Sequence, residues 1–275
     1  MNDAWWSLWA MTPALAWSFL QRGLGLTVLL QALEQWAARR EFDDDGIWAW
    51  PLLRGDYARH GPVIRTGLDI IAGATGIRFV VAVRILAGAV LLVFPRAGIA
   101  VTFACFCTSM VMSLRFRGRE NGAADAMTNL VAATAMLVDA ASLADINAEW
   151  VGLVFVATQA TLSYLSAGVA KLRSPVWRNG SAPAAFAAVE RYAVPSWVRT
   201  TLQIPRTSQL ASHFLIAWQI SFPVSLLSPT WCAASCAIGL AFHIVNFFVF
   251  GLQRFVFAWA MTYPAVWFVS VAAPH

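Results

Sequence analysis

Long apolar stretches restrict what this chain can fold into more than any other feature of its sequence. About eight of them are candidates to cross a hydrocarbon core of about 30 Å as a helix, which takes about 20 residues. They are Ala14–Ala37, Phe79–Phe94, Gly98–Leu114, Ala126–Leu143, Trp150–Leu172, Gln209–Ser228, Trp231–Phe250 and Phe255–Ala272. Only 12% of the 275 residues are charged, whereas about 25% is usual in a soluble domain. The sequence therefore predicts an all-α integral membrane protein with about eight transmembrane helices in one bundle.

The whole chain, 1–275, is predicted to form this single transmembrane domain. Its first apolar stretch is too long and too rich in tryptophan for a cleaved signal peptide, so it is interpreted as a retained helix. The sequence has no glycine-rich nucleotide motif and no metal-ligand spacing, so neither a nucleic acid nor a metal is expected to bind. The cysteines are interpreted as inert buried thiols, and a redox role would require their two pairs to meet. They are Cys105, Cys107, Cys232 and Cys236.

Basic residues alternate from one connection to the next along the predicted helices. Sixteen lysines and arginines fall on one side of the membrane, and Arg96 alone falls on the other. By the positive-inside rule the basic side is cytoplasmic and both termini lie outside, as in a multi-pass protein of the bacterial inner membrane. A second interpretation is compatible with the first, since these cations could also draw an anionic substrate or a lipid headgroup towards a site on that face.

Two long connections on the basic side carry apolar residues at helical spacing. They are Gly61–Gly76 and Ser181–Val198, the second of which is interrupted by Pro195. This spacing predicts short helices. Because the connections adjoin apolar spans, we expect these helices to lie in the membrane interface.

Lys171 is the only lysine in a chain with eighteen arginines. A desolvated lysine can lose its proton, whereas an arginine effectively cannot. On a helix Tyr164, Gly168 and Lys171 share one stripe, and the glycine is expected to leave room beside the other two side chains. Lys171 is therefore a candidate base. The alternative is an anchor whose ammonium group extends to the interface.

Further polar residues fall within one leaflet's depth of Lys171, taking about 1.5 Å of helix per residue. They are Arg84, Asp125, His213, His243 and Asn246, and Asn129 shares a helix face with Asp125. Such residues inside apolar helices are functional candidates, so we expect them to line one cavity that opens to the basic face and supports acid–base chemistry. For His243 the alternative is a hydrogen bond between helices, and for Arg84 it is a structural ion pair or a bond to backbone carbonyls.

Two motifs give the chain a resemblance to a known family. The first runs from Tyr164 through Ala-Gly-Val to Lys171 and is followed by Trp177. The second joins His243 to Asn246 and is followed by a series of aromatic residues. In the same order, they resemble the lysine-bearing segment and a late helix of the HTTM proteins, which are bacterial membrane proteins similar to the vitamin K-dependent gamma-carboxylase.

The resemblance implies a chemistry for these residues. Lys171 would be the base that deprotonates a reduced quinone of the vitamin K type; oxygenation of the quinol then yields a strong base that removes a proton from glutamate, and carbon dioxide adds. His243 is the second catalytic candidate, carried over as a pocket residue. Substrate or cofactor contacts are assigned to Tyr164, Asn246, His213, Asp125, Asn129, Arg84 and Trp177.

Three features depart from the carboxylase. Its Asn–His pair is replaced here by Ala124–Asp125. It continues into a soluble β-rich part that recognises the peptide substrate, whereas this sequence ends at His275, so neither that domain nor processive carboxylation is expected. The carboxylase also works on the luminal side, whereas the basic residues place the Lys171 end in the cytoplasm.

Two functions of different classes are compatible with the sequence. The first is a membrane enzyme that abstracts a proton with the help of a quinone or lipid, using Lys171 as its base. The alternative is a non-catalytic or maturation-assisting membrane protein for a small exported peptide or toxin, of the sporulation-delaying maturation type. The expected partners are membrane lipids and a peptide substrate or partner protein encoded nearby. A transporter is a weaker interpretation, because matching halves with broken helices are not evident.

Overall fold

The computed structural model describes residues 11–116, 122–190, 192 and 194–272. These residues form helices and no strand, which confirms the predicted all-α class. The helices are α1 Pro13–Ala37, α2 Trp50–Arg54, α3 Pro62–Ala72, α4 Ala74–Val93, α5 Ile99–Arg115, α6 Ala123–Ser142, α7 Glu149–Arg173, α8 Pro175–Arg178, α9 Ala182–Ala188, α10 Ser196–Gln203, α11 Pro205–Ser221, α12 Pro229–Phe250, α13 Gln253–Ala260 and α14 Tyr263–Ala272. Short 3-10 helices occupy Arg39–Phe42, Gly55–Tyr57 and Phe222–Leu226.

Four helical stretches in the described part of the chain are long and apolar enough to cross a membrane. They are Ala74–Val93, Glu149–Arg173, Pro229–Phe250 and Gln253–Ala272. The fifth helix, α5, is apolar but has 17 residues. These helices are consistent with a membrane protein, whereas eight crossings stay a prediction. Three arginines in the count of basic residues lie outside the described residues: Arg117, Arg119 and Arg191.

The chain divides into two compact units. The N-terminal unit is Ser18–Gly152, and the C-terminal unit combines Leu153–His275 with Met1–Trp17. The single transmembrane domain predicted from the sequence stays a prediction.

In the N-terminal unit, α1 and α4 approach each other backbone to backbone at two glycines. A Cβ atom added to Gly25 would lie 2.5 Å from the backbone nitrogen of Leu92, and one added to Gly88 would lie 2.8 Å from the backbone nitrogen of Leu29. Small residues permit such approach between helices in an apolar environment, where close packing replaces the hydrophobic effect as the driving force.

The connection between α2 and α3 is held by Asp69. Its carboxylate accepts hydrogen bonds from Trp50 Nε1 at 2.8 Å and from Arg54 at 2.8 and 2.7 Å. These bonds favour the charged carboxylate and therefore lower the pKa of Asp69; the bond from Trp50 contributes most, and the bond from Arg54 contributes next. The predicted helix within Gly61–Gly76 is confirmed by α3, while its place in the membrane interface stays a prediction.

Prolines shape the helices of the C-terminal unit. Within Ser181–Val198 the chain forms α9 and begins α10, and Pro195 immediately precedes α10. The last apolar stretch is divided at residues 261–262, because Pro264 has no N–H group to continue the helical hydrogen bonding. The division sets Tyr263 at the first position of α14.

Gly168 has a different role from the one expected. A Cβ atom there would lie 2.9 Å from the backbone nitrogen of Ile220 and 2.9 Å from Cβ of Gln219. Gly168 therefore lets α7 pack closely on α11, instead of leaving room beside Lys171.

Gly88→Ala is expected to destabilise the protein by about 1–3 kcal/mol, because the new methyl group meets backbone atoms that cannot move aside as a side chain can. Thermal unfolding of the detergent-purified full chain measures the effect. Gly67→Ala is the matched control: a Cβ atom at this position of α3 meets nothing within 4 Å, so the helix gains up to about 1 kcal/mol. Equal effects of the two substitutions would contradict the close approach of α1 and α4.

Candidate functional site

A buried chain of three hydrogen-bonding side chains lies in the C-terminal unit. The hydroxyl of Tyr164, on α7, is 2.9 Å from Nε2 of His243, on α12. The same hydroxyl is 2.8 Å from the hydroxyl of Tyr263, on α14. Tyr164 is 3% exposed and His243 is 4% exposed. The structure thus joins three separate helices through polar groups of two buried residues and of the half-buried Tyr263.

Gly239 makes this arrangement sterically possible. It lies one turn before His243 on α12, on the same face of the helix. A Cβ atom at Gly239 would lie 2.4 Å from the hydroxyl oxygen of Tyr263 and 3.2 Å from that of Tyr164. Both hydroxyls therefore occupy the space that a side chain would fill.

Aromatic rings enclose the three polar groups. The ring of Phe222 stacks on Tyr164 with centroids 4.1 Å apart, and the ring of Trp218 lies 5.2 Å from it. On the other side, Trp259 stacks on the imidazole of His243 at 5.3 Å and 30°. These apolar walls give the polar chain a low-dielectric environment, in which hydrogen bonds are strong and unpaired groups are costly.

One nitrogen of the three hydrogen-bonded side chains, Nδ1 of His243, has no partner in the part of the chain that the structure describes. Within the described residues, Nδ1 of His243 has no hydrogen-bond partner, and neither has Nε1 of the buried Trp218. A neutral imidazole carries one N–H donor and one acceptor nitrogen. Whichever nitrogen of His243 bears the proton, Nδ1 is therefore left as an unsatisfied donor or acceptor, which a ligand or a water molecule can satisfy.

Lys171 belongs to a second cluster in the same unit. Its ammonium nitrogen lies 5.1 Å from the ring centroid of Trp177, a distance at which the ring face attracts a cation. Nearby, Nε2 of the exposed His213 is 2.9 Å from the backbone oxygen of Arg178. Tyr164 and Lys171 are separated by seven residues of α7, which is about 10.5 Å along the axis. The structure therefore pairs Lys171 with Trp177, and Tyr164 with His243.

The other predicted site residues are distributed between the units. Asn246 is half-buried on α12 in the C-terminal unit. Arg84, Asp125 and Asn129 line one cavity of about 180 Å³ within the N-terminal unit. The single cavity shared by all these residues stays a prediction.

Tyr263 was not identified from the sequence. The signal available was a tyrosine hydroxyl within an apolar stretch, immediately before Pro264. Cys232 and Cys236 lie one turn apart on α12, and their Sγ atoms are 4.0 Å apart. All four cysteines are free thiols.

Comparisons with protein-family models, with curated proteins and with solved structures found no match for this chain. The fold and the site define a class in physical terms: an all-helical protein with membrane-length apolar helices and a buried, aromatic-walled chain of hydrogen bonds. The chemistry of the site is therefore inferred from the geometry of its residues.

Tyr164→Phe is expected to destabilise the protein more than Tyr263→Phe. Tyr263→Phe removes one hydrogen bond, a loss of about 0.5–1.5 kcal/mol, whereas Tyr164→Phe also strands His243 and the Tyr263 hydroxyl, which adds about 1–3 kcal/mol. Thermal unfolding of the purified variants measures both losses. Tyr192 is not part of the His243–Tyr164–Tyr263 chain of hydrogen bonds, so Tyr192→Phe is the control and should change the stability little. If Tyr263→Phe proves the more harmful of the two, Tyr164 is not the central member of the chain.

Proposed function

We propose that the protein is a membrane enzyme that carries out proton transfer with a bound reduced quinone. His243 meets the quinone within the His243–Tyr164–Tyr263 chain, and Lys171 is the base. One observation carries the proposal: the buried His243 has a nitrogen, Nδ1, without a partner among the described residues, at the end of a continuous chain of hydrogen bonds. A buried polar group without a partner is costly, and a ligand is one way to satisfy it; groups of this kind cluster at functional sites.

The side chains around His243 fit a quinone in two respects. Trp259 and Phe255 stack on the imidazole and offer flat apolar faces to a ring. The unpartnered Nδ1 of His243 and Nε1 of Trp218 offer hydrogen bonds to ring oxygens. A reduced quinone, when bound, would supply an acidic hydroxyl group and two electrons.

The chain of hydrogen bonds can hold its protons in two arrangements. If Tyr164 donates to Tyr263, then Nε2 of His243 donates to Tyr164 and Nδ1 is an acceptor, suited to a ligand hydroxyl. If Tyr263 donates to Tyr164, then Tyr164 donates to Nε2 and the Nδ1–H group is a donor, suited to a ligand carbonyl. The same three residues can therefore bind a group before and after it loses its proton.

Lys171 takes the base role in this proposal because of its place in the HTTM-like motif. Tyr164 and Lys171 lie on the same face of α7. One rigid helix therefore fixes the distance between the amine and the chain of hydrogen bonds. We also propose membership of the HTTM-like proteins, residence in the bacterial inner membrane, and cytoplasmic basic loops with both termini outside. The two spaced motifs support the first of these, and the distribution of basic residues supports the others.

Lys171→Arg is the first test, because it retains the cation but removes an amine that can release its proton. The oxygen-dependent consumption of a reduced naphthoquinone by the purified full chain is expected to fall about 100-fold or more, as for a lost general base. Arg173→Lys, two residues further along α7, is the matched control and should leave the rate unchanged. If Lys171→Arg and Lys171→Ala both consume the quinol at the wild-type rate, Lys171 is not the base.

His243→Ala tests the quinone site itself. The variant is expected to insert and purify normally while it loses binding of the reduced naphthoquinone, measured by quenching of tryptophan fluorescence, since Trp259 stacks on the imidazole. His213→Ala removes an exposed imidazole and should bind as the wild type does. Unchanged binding by His243→Ala would contradict the proposal.

The alternative function is a membrane protein that assists the maturation of a small exported peptide. It predicts the opposite results. The wild-type protein neither binds nor consumes the quinol, and the Lys171→Ala variant still supports the export of a peptide encoded nearby. The same pair of measurements therefore separates the two functions.

A further inference from the structure

A polar cavity of about 180 Å³ lies within the N-terminal unit. Side chains from α1, α4, α5 and α6 line it. The polar groups that matter are Gln31, Gln35, Arg84, Ser109, Asp125 and Asn129. Arg84, Asp125 and Asn129 were expected from the resemblance to contact a substrate or cofactor, but His243, Tyr164, Tyr263 and Lys171, on which the proposed function depends, do not line this cavity. A ligand in this cavity is therefore independent of the proposed function.

The size of the cavity restricts what it can hold. Liquid water takes about 30 Å³ per molecule, so the volume corresponds to about six waters. Pockets for drug-sized ligands measure about 300–1,000 Å³. The cavity therefore suits a molecule the size of a small amino acid.

Arg84 supplies a fixed positive charge to the cavity. Its side chain is among the most deeply buried in the described residues, at 1% exposed. The guanidinium donates to Ser109 Oγ at 2.7 Å and to Gln31 Oε1 at 2.9 Å, and Gln31 in turn donates to Thr128 Oγ1 at 3.1 Å. A guanidinium held by such a network is positioned in advance for an anionic oxygen group.

The same lining supplies acceptors for a cation. Gln35 is 3% exposed, and its Oε1 has no partner among the described residues. A buried acceptor of this kind calls for a donor from a ligand or a water. Asp125, in the first turn of α6, adds a carboxylate to the lining. Among the described residues, the lining thus carries one positive charge, on Arg84, and one negative charge, on Asp125, beside several amides and hydroxyls.

We propose that this cavity binds a small zwitterion, which is either a free amino acid or the headgroup of an ethanolamine lipid. Its anionic oxygens bind Arg84 and the amide of Asn129, which Ser113 orients by accepting a bond from Asn129 Nδ2 at 2.8 Å. Its ammonium group binds Asp125 and Oε1 of Gln35. A zwitterion offers an anionic group to Arg84 and a cationic group to Asp125. A ligand with one charge offers an opposite charge to only one of these two side chains, which is less favourable in a site of low dielectric.

Thermal stabilisation of the purified full chain by added solutes tests the proposal. Glycine and serine are the amino-acid probes, glycerophosphoethanolamine is the headgroup probe because its phosphodiester carries a single negative charge, and acetate and methylammonium each carry one of the two charges. Either zwitterionic class should raise the melting temperature more than acetate or methylammonium does. Stabilisation by glycine or serine identifies a free solute as the ligand, and stabilisation by glycerophosphoethanolamine alone identifies a lipid headgroup. If no zwitterion stabilises the chain, the cavity holds only water and the proposal is overturned.

Two substitutions locate the binding. Gln35→Leu removes a buried unsatisfied oxygen with little change in volume, so the variant should fold at least as well as the wild type while its affinity for the zwitterion falls about tenfold. Asp125→Asn should abolish the preference for a zwitterion over acetate. Asp56→Asn makes the same change of charge elsewhere in the N-terminal unit and should bind normally. Wild-type binding by both Gln35→Leu and Asp125→Asn would place the ligand elsewhere and overturn the assignment.

Discussion

A polar group on an apolar helix in a membrane must find its partner inside the protein, because hydrocarbon offers none. This constraint accounts for much of the organisation of both units. In the C-terminal unit, the Tyr164 hydroxyl is the hydrogen-bond partner of both His243 Nε2 and the Tyr263 hydroxyl. In the N-terminal unit, the buried Asp139 accepts hydrogen bonds from Thr102 at 2.9 Å and from Gln21 at 3.2 Å. Each network joins helices that are far apart in sequence.

The networks require close backbone approach, and glycine provides it. Gly239 leaves the space that two tyrosine hydroxyls occupy, and Gly25 and Gly88 bring α1 and α4 together. Such positions carry no chemistry of their own. They nevertheless decide whether the polar side chains can reach each other, because a single methyl group would displace either a hydroxyl or a helix backbone.

The sequence allowed the helices and the stripes along them to be predicted, because periodicity is a local property. Tyr164 and His243 were identified because each is a polar residue on an apolar helix. Their contact was not predictable, since 79 residues separate them, and neither was the third member, Tyr263. The pairing of Lys171 with Trp177 likewise depends on how the chain turns after α7. The number of membrane crossings depends on marginal helices such as α5, which is apolar but has 17 residues.

Among the polar groups of the C-terminal unit, Nδ1 of His243 is distinguished by its position at the end of a hydrogen-bond chain. Its nitrogen-15 chemical shift, recorded with histidine-labelled full-length protein and assigned with a His243→Gln variant, tests most directly whether this nitrogen meets a ligand. Adding a reduced naphthoquinone is predicted to move the His243 Nδ1 resonance and to leave those of the exposed His213 in place. An unchanged His243 Nδ1 resonance in the presence of the quinol would contradict the proposed site.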